Sequence, residues 1–61
     1  MRISKNKYYT VMRISETLGD ANYGRLPGSD VRLVIGNAKY DEKYDLFFTK
    51  SAKTAYIVIE E

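Results

Sequence analysis

Residues 21–36 read ANYGRLPGSDVRLVIG, and what they become decides the shape of the chain. The stretch passes from two glycines and a proline into a clean alternating run. Pro27 presets its own φ, and Gly24 and Gly28 tolerate backbone conformations that other residues resist. LPGSD therefore predicts a β-turn with Pro27 at its second position. Beyond it, Val31, Leu33 and Ile35 alternate with Asp30, Arg32 and Val34, which predicts a strand over 30–35. Gly36-Asn37 then ends it. The same stretch places Tyr23, Arg25 and Arg32 close together, so it either grips a ligand or only feeds a strand.

Upstream, residues 7–15, KYYTVMRIS, are rich in aromatic and β-branched types and predict a second strand. Tyr8, Thr10, Met12 and Ile14 fall on one face, and Tyr9, Val11, Arg13 and Ser15 on the other. Between these strands, ETLGDANYGRLPGSD reads as loop within one domain. The tetrapeptide MRIS occurs at 1–4 and again at 12–15. The similarity ends there, too short for an architectural repeat.

Downstream, two readings compete. In a helix, Tyr40, Tyr44, Phe47, Phe48, Ala52 and Ala55 fall near one stripe, with Asn37 as a cap, acids early and lysines late. In a hairpin, Tyr44, Leu46 and Phe48 share a face, KSAK at 50–53 makes the turn, and TAYIVIE carries Ala55, Ile57 and Ile59 back. The helix strands Leu46 on its polar side and runs into TAYIVI with no loop, so the hairpin is preferred. The expected fold is all-β: one domain over 1–61, an antiparallel meander of four or five strands forming a curved sheet or small barrel. The alternative is α+β, in ββαβ order, with a helix near 40–52.

Composition narrows the function. The 61 residues contain no cysteine and no histidine. Disulfides are excluded, zinc, copper and haem lose their common ligands, and no Ser-His or Cys-His pair exists. So small a chain has a marginal core, which makes association a natural support. The glycines form neither GxGxxG nor a Walker A loop. Asp41, Glu42 and Asp45 are interleaved with Lys39 and Lys43 and predict a solvated turn rather than a metal or acid–base site. No enzyme activity, cofactor, metal or small-molecule substrate is expected. No signal peptide or long apolar run is present, and the chain begins with Met1, so a complete cytoplasmic product is the expectation. The net charge is +2, and residues 1–15 hold Arg2, Lys5, Lys7 and Arg13 with no acid.

Counting faces sharpens this. Tyr8, Met12, Ile14, Val31, Leu33, Ile35, Tyr44, Leu46, Phe48, Ala55, Ile57 and Ile59 suffice for one core. The opposite face still carries Tyr9, Val11, Val34, Phe47, Tyr56 and Val58, with Arg13 and Arg32 beside them. Unless a closed barrel or a helix at 40–50 covers it, that face is an exposed aromatic and apolar interface. It predicts a protein-binding module: a homo-oligomer, an adaptor or regulator, or a stoichiometric inhibitor, as the short proteins of phages and mobile elements often are. The alternative partner is nucleic acid, held by Lys5, Lys7, Tyr9, Arg13, Tyr23, Arg25 and Arg32, with rings for bases and cations for phosphates.

Overall fold

The computed structural model describes all 61 residues. The chain forms β1 (Tyr8–Ser15), β2 (Ala21–Pro27), α1 (Gly28–Ile35), β3 (Lys39–Asp41), β4 (Leu46–Thr49) and β5 (Thr54–Glu60). The five strands make one open antiparallel sheet in the order β2-β1-β5-β4-β3. A β1–β2 hairpin and a β3–β4–β5 meander are joined along β1 and β5. The all-β curved sheet read from the alternation is therefore present. It stays open, with β2 and β3 as its edges, and does not close into a barrel.

The hairpin preferred for the last third is correct. The β4–β5 turn falls on residues 50–53, as the KSAK turn requires. Lys53 closes it with φ 47°. No helix forms near 40–52.

Two expectations for residues 16–36 need correction. First, 30–35 is helical. Val31 and Ile35 are four apart and point at the sheet, where both are buried. Leu33, which a strand would align with them, is 81% exposed. The β-branched residues do favour strands, but an eight-residue helix is marginal on local preference either way. Burial of its apolar stripe against the sheet decides. Pro27 sits at the N-cap with φ −67° and ψ 153°, so it ends a strand and opens a helix instead of forming a β-turn.

Second, the segment read as loop contains β2. Its signals are masked by a bulge: the register slips between Val11 and Met12, leaving Tyr23 as the extra residue. Gly24 beside it takes φ 70°, which side chains resist. As an edge strand, β2 also tolerates Pro27.

The N-terminal segment seals the helix start. Tyr9 Oη accepts the Ser4 N–H at 2.8 Å, the Gly28 N–H donates to the Lys7 carbonyl at 2.8 Å, and Arg32 Nη2 donates to the Ile3 carbonyl at 2.6 Å. A Cβ on Gly28 would lie 1.9 Å from the Ser4 carbonyl oxygen, so only glycine fits.

Candidate functional site

Strand pairing places every side chain on one of two faces. On the helix-covered inner face lie Tyr9 and Val11 of β1, Tyr56 and Val58 of β5, and Phe47 of β4. With Ile3, Val31 and Ile35 they are the core. Tyr40 leans on Phe47, their ring centroids 5.2 Å apart. On the outer face lie Tyr8, Thr10, Met12 and Ile14 of β1, Ala55, Ile57 and Ile59 of β5, and Leu46 and Phe48 of β4.

This inverts the faces expected from sequence. The residues assigned to an interface, Tyr9, Val11, Phe47, Tyr56 and Val58, are buried. Val34, on the helix, is half-buried against the same core. The sheet residues assigned to the core line the outer face instead. The cause is the helix: the alternation separated the two faces correctly, but α1 was read as a strand. As a strand it added to one face; as a helix it covers the other.

The two arginines of that set have structural partners. Arg13 clips the β1–β2 turn: Nε donates to the Gly19 carbonyl at 3.0 Å, and Nη1 to the Tyr23 hydroxyl at 2.9 Å. Arg32 ties the helix to the N-terminal segment. The residues proposed for nucleic acid do not form one surface either. Tyr9 has no exposed ring, Arg13 and Tyr23 are bound to each other, and Lys5, Lys7 and Arg32 sit at the helix start. Lys7 pairs with Glu60 at 3.3 Å. Arg25 lies on the outer face.

The acidic cluster has a local account. The Asp41 carboxylate accepts the Lys43 N–H at 2.9 Å within the β3–β4 turn, and Asp45 accepts the Tyr40 hydroxyl at 2.6 Å. That hydrogen bond, together with partial desolvation and the nearby Asp45, Glu42 and Asp41 charges, pushes the Tyr40 phenol up to about 12.

What remains open is the outer face. Tyr8, Met12, Ile14, Phe48 and Ile59 are each 41–58% exposed, and no element of the chain lies over them. Together they present on the order of 500 Å² of apolar surface, a size that marks interaction sites. Arg25 lies over the Tyr8 ring, its guanidinium carbon 4.3 Å from the centroid. This presents a planar cation–aromatic pair at one corner. A shallow depression of about 310 Å³ lies beside Met12 and Ile14, rimmed by Asp20 and Asn22. Along the β3 rim stand Lys39 and Asp41.

No helix is long and apolar enough to cross a membrane. Comparison of the chain with protein-family models, curated proteins and solved structures finds no match.

Proposed function

We propose that this chain is a small non-enzymatic protein-binding module that docks through the outer face of its sheet, as a homo-oligomer, an adaptor, a regulator or a stoichiometric inhibitor. One observation supports this above all: the apolar outer face is left uncovered while the apolar side chains of the inner face are buried or half-buried under the helix and the N-terminal segment. A rigid antiparallel sheet holds those side chains at fixed spacing, so little order is lost when a partner arrives. Tyr8 and Arg25, already stacked, are of the residue types that dominate binding energy at protein interfaces.

The test is site-specific photo-crosslinking in cells. A photoreactive residue at Met12, on the outer face, should trap protein adducts. The same residue at Leu33, fully open on the opposite side, should not. Adducts at Leu33 with none at Met12, or none at either position, would sink the proposal.

A further inference from the structure

Resting on that docking role, we infer that the occupant of the outer face is a second copy of this chain, packed sheet to sheet about a two-fold axis parallel to the strands. The charges on the two rims of the face carry the inference, because they read in opposite order along the strands.

Register defines the order. On the β2 rim, Arg25 is level with Thr10 and Ile59, and Asn22 with Met12 and Ile57. Asp20, just before the strand, comes next, level with Ile14. On the β3 rim, Lys39 pairs with Phe48, hence with Ala55 and Ile14. Asp41 pairs with Leu46, at the level of Met12. Glu42 follows in the turn, toward the level of Thr10. The β2 rim is thus acid, amide, cation, and the β3 rim is cation, acid, then Glu42 with Lys43 beside it in the turn.

A two-fold along the strands lays the β2 rim of one copy over the β3 rim of the other at matching levels. Asp20 then meets Lys39, Asn22 meets Asp41, and Arg25 meets the Glu42 end of the turn, each twice by symmetry. A two-fold across the strands at the Met12 level would lay each rim over itself: it pairs Asp20 with Arg25 and Lys39 with Glu42, but it also opposes the two Asp41 carboxylates and leaves Asn22 facing Asn22. The first arrangement has the same number of opposite-charge pairs without that like-charge contact, which selects it.

Area agrees. Two faces pressed together remove on the order of 1,000 Å² of apolar surface from water, the threshold for a specific interface. Aligned sheets stacked about 10 Å apart are a standard packing. They would give each protomer a cover for the outer face, which its own helix leaves open.

Sedimentation velocity between about 1 µM and 1 mM reads the result. The wild-type chain should dimerise. Lys39→Asp should weaken the dimer roughly tenfold, and adding Asp20→Lys in the same chain should restore it. Lys39 is an exposed rim residue, whereas Asp20 also accepts the Ser15 N–H at 3.1 Å in the β1–β2 turn, so circular dichroism of Asp20→Lys alone must match the wild type before the double reversal is read. Ile59→Asp should leave a monomer with unchanged circular dichroism. A wild-type chain that stays monomeric throughout, or a double reversal that fails to restore a lost dimer, would overturn the inference. In the first case the Met12 crosslink separates the two claims. An adduct with a different protein removes only the second copy as occupant, whereas no adduct removes the docking role as well.

Discussion

Phe47 and Phe48 are the same residue, adjacent in the same strand, and they lie in different environments. Phe47 faces inward and is buried between Tyr56 and Tyr40; Phe48 faces outward beside Ala55 and is 41% exposed. Tyr9 and Tyr8 repeat the contrast on β1. The two faces of the central strands are both apolar, and alternation gives neither priority. What separates them is the covering layer: one short helix with Val31 and Ile35, supported by Ile3 from the N-terminal segment. A sheet face becomes a core when something covers it, and an uncovered face of similar composition becomes a surface that needs a partner.

The largest effect that tests this contrast is in the phenylalanine pair. Phe47→Ala should cost about 3–5 kcal/mol. A chain of this length has a total stability of roughly 3–9 kcal/mol, so the variant should be largely unfolded. Phe48→Ala, measured on dilute protein, should cost less than about 1 kcal/mol. Urea denaturation checks both, and equal losses would mean that the outer face is packed as tightly as the inner.

The tyrosine pair gives a smaller effect. Tyr9→Phe removes the only acceptor of the Ser4 N–H in the sealed N-terminal segment and should cost about 1 kcal/mol. Tyr8→Phe keeps the ring under Arg25 and should change stability by less than about 0.5 kcal/mol. Amide hydrogen exchange at Ser4 should quicken in Tyr9→Phe alone.

The smallest effect is at the inner rim. Tyr40 holds its proton more tightly folded than unfolded, its pKa raised from 10.0 to about 12. The stabilisation is fully present below pH 10 and is lost as pH rises from about 10 to 12, when the phenolate forms beside Asp45. Ultraviolet absorbance of the folded chain should show the late ionisation of Tyr40. Asp45→Ala should move that step back toward 10, since it removes both the hydrogen bond and the nearest charge.

Much of the sheet was legible because strand signals are local. KYYTVMRIS and TAYIVIE alternate over seven or more residues, and both became strands at nearly the expected bounds. The hairpin turn at 50–53 was legible from its polar run. The candidate site was legible only in part. That one apolar face is left over followed from counting, but which face did not. The residues that form it were grouped correctly and assigned to the wrong side. The one available signal was the four-residue spacing of Val31 and Ile35, which competes with a two-residue spacing that fits equally well over so short a run.

By itself the sequence determined the strands β1, β4 and β5, the partition of their side chains into two apolar sets, and the absence of thiol and imidazole chemistry. These follow from residue type and from the two-residue period of an extended chain. Tertiary structure alone decided that residues 28–35 coil, that residues 21–27 pair as a bulged edge, and which apolar set is open to a partner. Each of those depends on what lies across from a segment. An eight-residue helix or an isolated edge strand gains too little from its own hydrogen bonds to form without the sheet it covers or extends.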